Sequence, residues 1–301
     1  ADGKIYGRGA SDMKGSDCAM VMAAGRFAAQ TKKNFAGTIC VSGTVHEECF
    51  EGVAPREVTK RVKPDFVIVG EATSTSIKIG QRGRAEVVVE TEGVSCHSSN
   101  PEKGVNAVYG MMAVIEEIRK IVPNEHPLLG RGILELTDIV SAPYPGASVV
   151  PAACRATFDR RTLVGEDEAV ILGQVEEAIA RAQEKHPEIK ARCYLATGTE
   201  ACWTGDTISA KRYFPAWVVD ENSELVVKAR RGLEAAGIDA PLSHFSFCTN
   251  GSHFCGEAGI PTIGYGPSLE SLAHVRDEYI EISQLTKACR GFASILAELT
   301  R

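Results

Sequence analysis

Two textures of hydrophobic and polar positions alternate along the chain. "CAMVMAAGRFAAQ" (18–30) is small and apolar throughout, which predicts a buried helix packed closely on a sheet. "GTICVSGTV" (37–45) and "PDFVIVG" (64–70) are near-continuous β-branched and apolar runs bounded by Gly and Pro. Such runs predict parallel strands covered on both faces. "PREVTKRV" between them predicts one short helix, and the alternation argues for a βαβ sheet.

From residue 83 the pattern changes. "GRAEVVVETEG" alternates apolar with polar like a half-exposed antiparallel strand, and "GVNAVYGMMAVIEEIRKIV" (104–122) has the spacing of an amphipathic helix. "GILELTDIVSA", "CRATFDRRTL", a helix over 167–186 and "IKARCYLAT" complete the order strand, helix, two strands, helix, strand. That order predicts an α+β unit with helices on one face of an antiparallel sheet. After "YFPAW" the first texture returns with the helix "SELVVKARRGLEAAG", the buried strand "PTIGYG" and the closing helix "SQLTKACRGFASILAEL". The expected organisation is a discontinuous α/β domain, 1–80 and 205–301, interrupted by an inserted unit, 81–204.

Composition narrows the function classes. Of the 301 residues, 44% are hydrophobic and 24% charged, the balance of an ordinary folded protein. No run approaches the ~20 apolar residues of a membrane span, and no secretory leader is visible, so a soluble, cytoplasmic protein is expected. A net charge of -6 without Lys/Arg runs argues against nucleic acid or an anionic membrane as the main partner. The ten cysteines form no CxxC pair. Several, such as Cys40 in "GTICVSG", read as buried free thiols of a reducing compartment, not as a disulfide scaffold or zinc ribbon.

Candidate chemistry gathers after the predicted strands. Asp12 stands in the turn "GRGASDMKG", Glu47 and Glu48 follow the run ending at Val45, Glu71 follows "DFVIVG", and His274 comes shortly after "PTIGYG". In open parallel sheets the carboxyl ends of the strands form the ligand crevice. Each residue also has a structural reading: Asp12 as a helix cap, the two glutamates as a solvated strand end, Glu71 as a turn cap, His274 as a surface or core histidine. Together they would form a strongly negative pocket, which a divalent cation would stabilise. Carboxylate with imidazole suits zinc, with cobalt or manganese as substitutes. Adjacent glutamates can then divide the work, one as ligand and the other as proton carrier.

"DGKIYGRGASDMKG", "TVHEE", "GEATS", "SCHSSNPEKGVNA", "VVPAACRATFDRR" and "AHVRDEYI" resemble, in order and spacing, the M20 metallopeptidase family of acetylornithine deacetylases and succinyl-diaminopimelate desuccinylases. "CTNGSHFCGEAGIPTIGYGP" is most similar to its selenium-metabolism-linked hydrolase branch. The resemblance implies a zinc-peptidase-like, mostly parallel sheet with helices on both faces, plus an inserted ferredoxin-like lid that forms a homodimer. It implies two zinc ions. Asp12 would bridge them, Glu48 and His274 would complete one, Glu71 would serve the other, and Glu47 would be the general base. His97 would stabilise the oxyanion in the partner subunit's site, Arg161 would hold the substrate carboxylate, and Thr249, Asn250, Gly251 and Ser252 would form a substrate-binding loop.

The family's first motif, a His-x-Asp, is absent from the 301 residues, so one well-held metal and an exposed sheet edge are expected. Ser148 stands where Asn is common, and His253 has no assigned role. His46, His126, His186 and His244 read as structural. The expected activity is metal-dependent hydrolysis of an N-acyl amino acid or small peptide with a free carboxylate. The alternatives are a non-catalytic metal- or carboxylate-ligand-binding protein and an inactive fragment of such a hydrolase.

Overall fold

The computed structural model describes residues 2–301, which form two compact units: residues through Arg82 with Ala216–Arg301, and Gly83–Pro215. The longer helices are α1 (Lys14–Gln30), α2 (Pro55–Val62), α3 (Ala107–Ile118), α4 (Glu168–Lys185), α5 (Glu224–Ala235) and α6 (Ile282–Leu299).

In the first unit a five-stranded sheet has Ile77–Gln81 and Thr262–Gly264 at its centre. Thr262–Gly264 runs parallel to Val67–Val69, and Leu242–Phe245 runs parallel to Ile77–Gln81. The short strand Trp217–Val218 pairs antiparallel. A separate antiparallel ribbon joins Lys4–Tyr6 to Tyr279–Glu281, bringing the turn before α1 beside the segment after His274. Helices α1 and α5 both pack on α6.

Two expectations fail here. Residues 37–45 form no strand, and Cys40 and most of their side chains are exposed. An extended backbone becomes a strand only when a neighbour accepts its hydrogen bonds, and none of the described residues does so. Helix α1 is also not buried all round. Ser16, Ala19, Ala23 and Phe27, spaced three or four apart, face the core, while Val21 and Met22 face outward.

The second unit has the expected βαββαβ order. Gly83–Glu92 lies between Ala153–Thr162 and Lys190–Leu195, with Ile133–Ala142 outermost. Alternate residues of these strands, among them Val87, Val89 and Phe158, pack against Met111 and Val114 of α3 and Ile171 and Val175 of α4. Asn106 and Asp167 cap the two helices by accepting from backbone N–H groups of Val108 and Val170. A hairpin of Thr197–Ala201 with Thr207–Lys211 spans the expected boundary at residue 204 and belongs to this unit.

Candidate metal centre

Asp12 sits in the turn before α1 but does not cap it: the cap residue is Met13, and no side chain bonds the helix end. The turn is held from outside. Backbone N–H groups of Ser11 and Asp12 donate to Glu278 Oε1 at 2.8 and 3.1 Å, and Arg8 Nη1 donates to Glu278 Oε2 at 2.6 Å. Burial alone would raise the Glu278 carboxyl. The N–H groups of Asp12, Gly9 and Ser11 and the charge of Arg8 hold it below the usual carboxylate range. Because Glu278 follows His274 by four residues, one loop supplies the imidazole and fixes the backbone of the aspartate.

Left-handed backbone at His46 (φ 53°) turns the chain into a short 3-10 segment, Glu47–Cys49. The turn separates the two acids. Glu48 is exposed, whereas Glu47 Oε1 is buried without a hydrogen-bond partner. His274, also left-handed at φ 58°, places Nε2 2.8 Å from Asp12 Oδ2 and 3.2 Å from Glu48 Oε1. Donor atoms of Asp12, Glu48 and His274 all lie within 4.8 Å of one another.

The electrostatics of this group are unfavourable in isolation. Burial, then the charges of Asp12, Glu48 and Asp17, push the Glu71 carboxyl up to about 8. Glu47 is raised well above the ordinary range by burial and then by Glu71, Glu51, Glu48 and Asp12. The Nε2 of one imidazole carries at most one proton and cannot satisfy two carboxylates. A divalent cation would accept both carboxylates and the nitrogen and would relieve the repulsion on Glu47 and Glu71. The residues fit such an ion, and their oxygen and nitrogen donors are of the kind that zinc takes.

The 249–252 loop is built on Gln81, a buried residue at the end of the central strand. Thr249 Oγ1 donates to Gln81 Oε1 at 2.6 Å, Gln81 Nε2 donates to Ser252 Oγ at 2.9 Å, and Gly251 N–H donates to Thr249 Oγ1 at 3.0 Å. Thr249 and Ser252 are buried, so their side chains serve the loop itself. His253 is buried as well, between Glu257 Oε2 at 2.7 Å and Thr59 Oγ1 at 3.0 Å. Neither Gln81 nor Glu278 stands out in the sequence by pattern; their roles come from long-range neighbours.

His97 and Arg161 belong to the second unit. His97 is exposed, and its Nδ1 accepts from Ser99 N–H at 3.1 Å. A neutral His97 therefore carries its proton on Nε2, the tautomer that can donate outward. The two arginines of "DRR" separate by strand alternation. Arg160 points inward and pairs with buried Glu166 at 3.0 Å, while Arg161 lies on the other face, partly exposed, 2.8 Å from Asp159.

Comparison with known proteins places this architecture. The sequence profile of Peptidase family M20/M25/M40 matches residues 1–298. The Escherichia coli K12 protein YgeY is 31% identical over 299 residues, covering 98% of this chain and 72% of YgeY. The succinyl-diaminopimelate desuccinylase of Rickettsia rickettsii (strain Sheila Smith) is 28% identical over 309 residues, covering 99% of this chain and 76% of the enzyme. Among solved structures, the aminopeptidase PepT of Bacillus cereus superposes with a TM-score of 0.70 at 18% identity, covering 94% of this chain and 70% of PepT. The M20 metallo-carboxypeptidase Sso-CP2 of Sulfolobus solfataricus gives 0.69 at 16% identity, covering 98% of this chain and 78% of that protein. The profile match and the YgeY similarity both span nearly the whole chain, which belongs to peptidase family M20/M25/M40 and with it to the hydrolases of amide and peptide bonds.

Proposed function

We propose that the chain hydrolyses the amide of an N-acyl amino acid or small peptide bearing a free carboxylate, at a zinc centre held by Asp12, Glu48 and His274. The observation that carries this reading is the convergence of those three donors beside Glu47, whose buried oxygen has no partner. Glu71 lies in the same field of charge and is assigned to a second metal position. When bound, the cation supplies Lewis acidity toward water and the scissile carbonyl, as zinc, cobalt or manganese can.

The chain's own groups do the rest. Glu47 takes the proton from the attacking water and returns it to the leaving amine nitrogen. Burial, the first cause of its raised carboxyl and one that a bound cation does not remove, suits Glu47 to that two-way task better than exposure would. His97, as the Nε2–H tautomer, is assigned to donate to the developing oxyanion in the partner subunit's site. Arg161 offers its guanidinium fork to the substrate carboxylate, exchanging Asp159 for it. The 249–252 loop presents backbone groups to the substrate. The unit of residues 83–215 is assigned as lid and homodimer contact, and ten cysteines without a disulfide fit a reducing cytoplasm.

The test is a screen of the zinc-loaded protein against N-acetyl, N-succinyl and N-carbamoyl amino acids and dipeptides, each with its carboxylate free or amidated. Turnover of free acids only, with Arg161→Lys raising KM for them, supports the reading. Equal turnover of amidated substrates contradicts the carboxylate assignment.

A further inference from the structure

We propose that Asn250 is a positioning residue: its side-chain amide brackets the turn that carries Glu47 and Glu48. The inference rests on the hydrolytic reading above and assigns Asn250 a task other than holding substrate.

The geometry is specific. Gly52 N–H donates to Asn250 Oδ1 at 3.0 Å, and Asn250 Nδ2 donates to Thr44 Oγ1 at 3.0 Å. A backbone N–H can only donate, so the first bond fixes the amide orientation and turns its NH2 toward Thr44. Thr44 precedes Glu47 by three residues and Gly52 follows Glu48 by four, so a single amide closes both ends of the acidic turn. Residues 37–45 have no strand partner among the described residues, and the bracket supplies a tie that a sheet would otherwise give.

The bracket stands on a rigid base. Gln81, at the end of the central strand, holds Thr249 and Ser252 on either side of Asn250. Downstream, His253 bonds Thr59 of α2 and Glu257, and Glu257 forms two hydrogen bonds with Arg56 of the same helix. Gly52 permits the close approach: its φ is +93°, and a Cβ there would lie 2.8 Å from the His253 backbone nitrogen. Central strand, loop and acidic turn are thereby one connected support, and small misplacement of a catalytic carboxylate is costly in rate.

The experiment uses Thr44→Val, Thr44→Ser, Asn250→Ala and the double variant Thr44→Val/Asn250→Ala, with thermal melting to establish folding. Zinc affinity is read by competition with a chromogenic chelator, and kcat and KM on whichever substrate the screen returns. A bracket predicts that Thr44→Val, which keeps the shape and loses the hydroxyl, lowers zinc affinity and kcat about 10-fold with KM little changed, the range expected for residues that orient metal ligands. Thr44→Ser, which keeps the hydroxyl, should hold near wild-type values. The double variant should lose no more than Asn250→Ala alone, since both remove one interaction. Wild-type zinc affinity in Thr44→Val, or a KM-only effect of Asn250→Ala, overturns the bracket. Because zinc affinity needs no turnover, the bracket can fail while Glu47→Gln still abolishes hydrolysis, and it can stand if hydrolysis is absent.

Discussion

Glu47 and Glu48 are neighbours in sequence and have opposite surroundings, and most of the proposed chemistry follows from that one difference. The gathering of Asp12, Glu48 and His274 was legible because the chemistry of a proposed metal pocket constrains residue type. Their support was not. Glu278, Gln81 and Asn250 act through partners 168 to 270 residues away, a separation that leaves no local signature. Glu278 gives a direct prediction at this scale. Glu278→Ala removes the acceptor of the Ser11 and Asp12 N–H groups, and buried donors left unsatisfied cost ~1–3 kcal/mol each. Zinc affinity should fall ~10–100-fold, as for other residues that orient a metal ligand. Unchanged affinity in chelator competition would show that the Asp12 turn does not depend on Glu278.

Among the elements, runs that find a paired neighbour were readable from their period, even when that neighbour is far along the chain, and a run without one was not. The main strands and helices of residues 83–195 followed from their hydrophobic period; the caps Asn106 and Asp167 emerged only with the structure. Residues 37–45 show the reverse: an apolar β-branched run predicts a strand, but a strand requires a neighbour to bond. Helix α3 is tied to α4 by Glu117, whose carboxylate accepts from Lys120 and Lys185 and lies 3.4 Å from Arg181. These lysines hold Glu117 at about 2, below its ordinary 4.5. A depressed carboxyl stabilises the fold above its ordinary pKa and loses that contribution as pH falls toward the folded value. Wild type should therefore have the higher urea midpoint than Glu117→Gln at pH 5, and the gap should close between about pH 4.5 and 2. A gap constant across that window would remove Glu117 from the account.

For the whole molecule, the central arrangement is a unit discontinuous in sequence, interrupted by residues 83–215, that gathers Asp12, Glu48 and His274 from distant parts of the chain. Metal binding to the folded site alone must then raise stability, by ~2.7 kcal/mol at a free concentration 100 times Kd. Zinc should raise Tm, a chelator should reverse the gain, and Glu48→Gln should abolish most of it. The most direct test of the account compares zinc affinity and turnover in Glu47→Gln and Glu48→Gln. The account predicts that Glu47→Gln keeps zinc and loses turnover ~100-fold or more, the scale of lost acid–base catalysis, while Glu48→Gln loses zinc itself. Wild-type turnover in Glu47→Gln, or wild-type zinc affinity in Glu48→Gln, would contradict it.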